Sequence, residues 1–298
     1  ATSMQYKNLR LPRMPREELA AAVEWEAVDR LHLSMDSVQL QYLDAGEVRQ
    51  GEEMRHEIIL MAAESRDIQE HLDLLAACEL TPAAIDATPA ALARCAAGRS
   101  ELPVDAPAQV ILDIGQSHSK ITITRQGRIV FFKIIEIGGK TFDLAVAEQL
   151  NLPMDEAGEV RKSCLRDTDG TSQSIGDDML FGAGKRDNVS RAIYESLRDS
   201  VGELAREVSL CLRYYSVTFR GKKPESLILT GGESGQAHIP GILADGTSIA
   251  VQSCPTLDQL DWSAALHAKD TSMGSGQWAV AAGLAMRHDS LLSIRGAA

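Results

Sequence analysis

The stretch Val110-Ile-Leu-Asp-Ile-Gly-Gln-Ser-His-Ser-Lys120 brings an acid, a glycine, hydroxyls and a lysine into one short segment. Its pattern is a strand, a turn and a returning strand. Gly115 lets backbone N–H groups approach an anion with no Cβ in the way. Ser117 and Ser119 would add hydroxyl donors, and Lys120 one positive charge. Asp113 sits where a carboxylate can hold a hydrated Mg²⁺ or orient water beside phosphates. The chemistry this set suits is phosphate binding with a metal at Asp113. An ordinary hairpin whose Asp and Gly only make the turn uses the same residues, so D-x-G-x-x-x-x-K does not separate the two alone. His118 in the same loop reads as a solvent-facing histidine.

Two further glycine pairs add weight. Ile137-Gly138-Gly139-Lys140-Thr141 closes a strand and opens a helix, an arrangement whose N–H groups can face an anion at a helix N-terminus. Leu229-Thr230-Gly231-Gly232-Glu233 repeats the arrangement after a later strand. Each pair can be steric relief alone. Three such turns in this order are harder to ascribe to chance.

The elements that must position these loops follow from periodicity. Tyr6 to Leu11 reads as a strand stopped by Pro12 and Pro15, and Glu17 to Leu31 as a helix with Leu19, Val23, Ala27 and Leu31 on one face. Val38 to Leu43 and Glu57 to Ala63 read as strands of a hairpin turning at Asp44-Ala45-Gly46, and Ile68 to Cys78 as a helix with Ile68, Leu72 and Leu75 on one side. Together they make a small α+β module over residues 6 to 80. The Gly- and Pro-containing stretch 98–107 reads as a connector. Three strands follow, at Val110–Leu112, Ile121–Thr124 and Ile129–Ile137, with tight turns at Gly115 and Gln126-Gly127, then a helix from Thr141 to Leu150. Residues 151–187 read as a loop-rich insertion. Ile193, Leu197, Val201, Leu204, Val208, Leu212 and Tyr215 step by three or four, which predicts a long amphipathic helix packed on a sheet. Ser226–Thr230 is a buried strand and Trp278–Met286 a buried helix, with Trp278 expected in the core and Trp25 as a core or interface anchor.

Composition limits the function. A chain of 298 residues can bury a large core without staples, and its five cysteines (Cys78, Cys95, Cys164, Cys211, Cys254) form no C-x-x-C pair, which fits a reducing compartment. No apolar run reaches the roughly 18 residues of a membrane-spanning helix, and ATSMQYKNLR lacks a signal-peptide core, so the expected location is the cytoplasm. A formal net charge of −12 opposes phosphate-backbone binding, and 4% aromatic content opposes base stacking. Nucleic-acid partners are thereby disfavoured, and spacing suggests no Ser-His-Asp, Cys-His or metal-ligand cluster.

LDIGQSHSKITI, EIGGKTFDLAVAEQL, LILTGGE and a terminal AVAAGLAMR, in that order, resemble the actin/Hsp70/sugar-kinase superfamily. LRLPRMPREELAAAVEWEA, IILMAAE, AIDATPAALAR at residues 84–94 and REVSLCLRYYS narrow this to a resemblance to the PilM family of type IV pilus assembly, a relative of FtsA. The resemblance implies an α/β, actin-like (ribonuclease H-like) fold with an inserted small α+β subdomain and a first lobe truncated at its N-terminus. Its divisions would be 1–82 for the insertion with a first-lobe remnant, 83–107 for a connector and first-lobe helix, 108–277 for the second lobe, and 278–298 for a returning helix and tail. It further implies an adaptor, peripheral at the inner membrane, that binds the N-terminal tail of a PilN-like partner beside the insertion and meets other pilus platform or motor proteins. ATP and Mg²⁺ would lie between the lobes. Asp113, Gly115, Ser117 and Lys120 match the second phosphate loop, joined by Ser119, Gly138 and Gly139, while Gly231 and Gly232 match the adenosine loop.

The sequence departs from that pattern twice. It begins at Ala1 close to the insertion, so the first phosphate loop is missing, which leads us to expect a trimmed chain, or else a family member that has dispensed with tight nucleotide binding; in either case ATP binding is weakened. At Glu156-Ala157-Gly158-Glu159-Val160-Arg161 the family tends to show E-A-E-x-L-K, whose Glu and Lys approach the ribose; here Gly158 replaces the Glu, leaving Glu159 and Arg161 or Lys162 as substitutes. Alternative functions are an ATPase or small-molecule kinase of the superfamily, or an FtsA-like filament former. No base for phosphoryl transfer is assignable, so a scaffold with at most weak ATPase activity is the expectation.

Overall fold

The computed structural model describes residues 4–31, 35–98, 106–164, 183–236, 238–258 and 275–287. Two sheets organise them. The first is antiparallel, in the order β1 (Gln5–Pro12), β3 (Glu53–Glu64), β2 (Val38–Gln50), with α1 (Arg16–Leu31) on one face and α2 (Ser65–Ala77) following β3. Period-2 alternation decides which residue faces where. Leu9, Leu11, Ile58 and Leu60 meet Leu19, Val23 and Ala27 of α1 in one core, as the helix periodicity predicts. Ile59, one residue out of phase with Ile58 and Leu60, joins the larger core with Ala45. The sheet is therefore covered on both sides. The α2 residues Ile68, Leu72 and Leu75 are only half-buried.

The hairpin differs from the reading at Asp44-Ala45-Gly46. Strand β2 continues through this triplet to Gln50, with a register shift between Asp44 and Gly46, and the chain reverses at Gly51-Glu52. The triplet is a bulge. Asp44 Oδ1 accepts from the Gly46 N–H at 2.9 Å, and Gly46 takes φ +106, a left-handed value that favours glycine.

The second sheet runs β6 (Arg128–Ile135), β5 (Ser119–Arg125), β4 (Gln109–Ile114), β7 (Ser226–Thr230), β8 (Ala250–Gln252). The first pairs are antiparallel, while β4, β7 and β8 run parallel. Val110, Leu112, Leu227 and Leu229 face α4 (Gly139–Leu150), α5 (Met154–Cys164), α6 (Ala183–Phe219) and α7 (Ile239–Thr247). Ile111 and Ile228, on the opposite face, meet α3 (Thr88–Ala97), α8 (Pro255–Asp258) and α9 (Ala279–Ala285). Every residue of the expected α6 stripe, Ile193 through Tyr215, is buried.

Residues 151–164, expected as loop, contain helix α5, where Ala157 and Arg161 share a buried face. Residues 165–182 of that insertion, most of the expected connector and the tail beyond Arg287 lie outside the described residues. Trp278, expected in the core, is 42% exposed at the start of α9, and Trp25 is 68% exposed, which removes its core reading.

Candidate functional site

The expected loops meet at the C-terminal end of β4. Asp113 is the next-to-last residue of that strand and lies opposite Lys120 on β5 and Thr230 on β7. Its Oδ2 accepts from Lys120 Nζ at 3.3 Å, and its Oδ1 from Thr230 Oγ1 at 3.4 Å. Residues 115–118 form the hairpin tip, closed by Gly115 N–H donating to His118 O at 3.1 Å. Ser117 is exposed on that tip and His118 is half-buried.

The turn at Gly138-Gly139 packs directly on this tip. Gly139 N–H donates to Gly115 O at 2.9 Å, and Lys140 N–H to Gln116 O at 2.6 Å. A Cβ on Gly138 would stand 2.8 Å from the His118 backbone N and 3.0 Å from Gln116 O, so this close approach requires glycine. Ser119, fully buried, spends its hydroxyl on Ile137 O at 2.6 Å. Gly231 makes the third approach: its φ is +97, and a Cβ there would collide with the backbone of Ile114. Its N–H reaches Gly276 O at 2.9 Å, while Gly232 is exposed with open space around it. The structure thus brings together all nine expected residues, but it engages Ser119 and the first amides of α4 internally.

Beside them lies a charged group that spacing alone did not reveal. Arg161, fully buried on α5, sets Nε 2.8 Å and Nη2 2.7 Å from Asp143 Oδ1, and its Nη1 donates to Glu233 Oε2 at 2.7 Å. Gln116 Nε2 donates to the other Asp143 oxygen at 2.9 Å. Burial works to lower the Arg161 pKa, but the hydrogen bonds and charges of Glu233 and Asp143 outweigh it and hold the pKa above its usual value. The sequence did carry a signal for this group. Asp143 shares a helical stripe with Val146 and Ala147, and Arg161 shares one with Ala157, so each places a charge on an apolar face. Such a charge needs a buried partner. Among the described residues there is no cluster of His, Cys, Asp and Glu suited to a metal ion.

A groove of about 510 Å³ opens elsewhere, between the small sheet, α3 and the β5–β6 turn, lined by Tyr42, Leu43, Ala90, Arg94, Ala97 and Ile129 among others. It shares Asp44 and Arg128 with a more polar hollow of about 620 Å³ near Arg13, Glu47 and His56. Arg128 Nη2 donates to Asp44 O at 3.1 Å between the two. No described helix is long and apolar enough to cross a membrane.

Residues 4–167 match the profile of a family described as type IV pilus assembly protein PilM. No curated protein matches the sequence significantly. Among solved structures, a PilM–PilN type IV pilus biogenesis complex superposes with a TM-score of 0.69 at 23% identity, covering 96% of this chain and 76% of that one. The ethanolamine utilization protein EutJ from Carboxydothermus hydrogenoformans gives 0.51 at 15% identity, covering 74% of this chain and 61% of its own. At these identities the likeness establishes the fold, which is actin-like.

Proposed function

This chain belongs to the PilM family of type IV pilus assembly proteins, and from that membership we propose that it is an actin-like adaptor whose partner is the N-terminal tail of a PilN-like inner-membrane protein. The observation that carries the reading is the superposition of 96% of the chain on a chain of a PilM–PilN type IV pilus biogenesis complex. In this reading residues 1–82 hold the inserted subdomain, 83–107 a connector and first-lobe helix, 108–277 the second lobe, and 278–298 the returning helix and tail. The chain works at the cytoplasmic side of the membrane through its partners.

The groove beside the inserted subdomain suits such a tail. Its apolar lining, from Tyr42, Leu43, Ala90 and Ile129, would take apolar side chains of an extended peptide, and Arg94 and Arg128 would meet backbone carbonyls or acidic positions at its margins. Fluorescence anisotropy with a labelled synthetic tail of the PilN-like partner tests both levels. Wild type should bind, and Ala90→Trp, which fills the groove, should lose binding with its thermal midpoint kept. Binding unchanged in Ala90→Trp rejects the groove, and no binding by the folded wild type rejects the adaptor.

The fold family implies ATP with Mg²⁺, and the residues present fit it on one side. Ser117, Lys120, Asp113 and the open space at Gly232 could meet phosphates, Mg²⁺ and adenosine, with Gly115, Gly138, Gly139 and Gly231 allowing close approach. The α4 side does not fit, because its first amides are bonded to Gly115 and Gln116. ATP would supply a charged ligand that spans the lobes; the proposed adaptor role needs no step through it.

A further inference from the structure

The α1-facing side of strand β3 carries an imidazole where its pattern calls for another aliphatic side chain. His56 has the parity of Ile58 and Leu60, which pack against α1, and it lies opposite Leu11 of β1 and Glu47 of β2. The residue is 7% exposed, and neither ring nitrogen has a hydrogen-bond partner in the protein. Its Nδ1 stands 3.9 Å from Asp44 Oδ1, beyond hydrogen-bond reach. Buried polar groups are nearly always bonded, so this ring marks a place where a polar partner is expected. It lines the hollow of about 620 Å³ that Arg13, Asp44, Glu47 and Arg128 also border.

We propose that this hollow is the polar end of the peptide groove, where His56 and Arg128 together receive the carboxylate of an acidic residue flanking the apolar segment of the bound tail. The inference rests on reading the groove as the tail's site. Continuity supports it, because Asp44 and Arg128 border both spaces. Charge points the same way. Arg13 is paired with Glu47 at 3.1 Å, and Arg94 with Asp86. Among the described residues no carboxylate pairs with Arg128, whose bond to Asp44 O uses Nη2 alone.

An imidazolium donates from both nitrogens, so His56 can serve Asp44 on one side and the guest carboxylate on the other. The charges of the filled hollow then balance: Arg13 offsets Glu47, while Arg128 and His56 offset Asp44 and the guest. A carboxamide of the same shape brings no charge, and leaves Arg128 without a counterion. The apolar groove thus takes the aliphatic part of the tail, and the hollow selects the acid beside it.

Fluorescence anisotropy on the whole chain tests this, with the labelled tail of the PilN-like partner and versions in which each acidic residue in turn is replaced by its amide. In wild type one replacement should weaken binding about tenfold, the scale of a hydrogen bond to a charged group. His56→Leu and Arg128→Gln should bind the acidic and amide versions alike. His56→Leu should keep or raise the thermal midpoint, since it removes a buried polar group with no bond, and Arg128 is exposed on a turn, so its replacement leaves the fold intact. Discrimination that survives in either folded variant, a wild type that binds every version equally, or a tail that binds tightly with no acidic residue overturns the subsite and leaves the adaptor reading standing. No binding of any version by the folded wild type rejects the adaptor reading, and the subsite with it.

Discussion

The hydroxyl of Tyr214 on α6 donates to Oε1 of Glu57 on β3 at 2.5 Å, joining the long helix that packs on the five-stranded sheet to the central strand of the small sheet. Arg10 on β1 completes the contact, with Nε 2.7 Å from Glu57 Oε2 and Nη2 donating to Tyr214 at 2.9 Å and to Thr218 at 3.1 Å. Its guanidinium also lies 5.5 Å from the Tyr214 ring centroid. A hydrogen bond to a charged group contributes about 1.5–3 kcal/mol, so Tyr214→Phe should lower unfolding stability by about that amount in a urea titration. The added observable is local: hydrogen exchange in β1 and β3 should rise more than in β4. A uniform rise would mean the contact does not tie the small sheet to α6.

Tyr6 gives a prediction in alkali. Burial, with a smaller contribution from Asp86, pushes its phenol from 10.0 to about 12. The folded state therefore holds the proton more tightly than the unfolded chain. This stabilisation is fully present below pH 10 and is lost as pH rises through about 12. Thermal midpoints measured across that window should fall, and Tyr6→Phe should flatten the fall. An equally steep fall in Tyr6→Phe would assign the effect to other groups.

Gly231→Ala should be among the most damaging single-atom changes in the chain. The positive φ disfavours alanine, and the new methyl meets the backbone of Ile114, which cannot rotate away. A loss of at least about 2 kcal/mol is expected from strain and displacement together. Gly232→Ala, with nothing near its Cβ, serves as the control and should cost far less.

Thiol labelling should separate the described cysteines. Cys78 is exposed, whereas Cys95, Cys211 and Cys254 are buried. Burial pushes the Cys211 thiol up to about 11, with Glu207 adding to it against Lys133. Its reactive thiolate is scarce at neutral pH. Iodoacetamide followed by peptide mapping should modify Cys78 within the first minutes and reach the other three only under denaturant. Early labelling of Cys95 or Cys254 would show that α3 and the segment after β8 part readily, since their sulfurs sit 3.7 Å apart.

The site was legible where backbone geometry demanded a particular residue. Gly138 and Gly231 are glycines because a backbone crosses within van der Waals distance, and such a demand leaves its mark at fixed positions near strand ends. The Asp44–Gly46 bulge carries the same letters as a turn. What distinguishes it is the pairing of Glu47 through Gln50 with Glu53 through His56, a relation between strands that one strand does not display. The sequence shows Arg161 as a substitute for a lysine and, on an apolar face, in need of a buried partner, but not which partner. Its real partners, Asp143 and Glu233, come from α4 and the turn after β7, and their meeting depends on how α5 packs rather than on any local spacing. Trp278 shows the limit of reading burial from residue type. It stands at the start of an apolar helix, yet it is 42% exposed while its neighbour Ala279 is buried.

Helix α9 settles on α3 so closely that a Cβ on Gly283 would strike the Ala91 carbonyl, and Arg94 Nε donates to Gly283 O at 3.0 Å. These partners lie 189 residues apart along the chain. Joining them closes a long loop, an entropic cost that grows with separation and is offset only when the chain between them has folded. Docking of α9 on α3 thus couples the two ends of that long segment, and α9 reports on whether everything between them is in place.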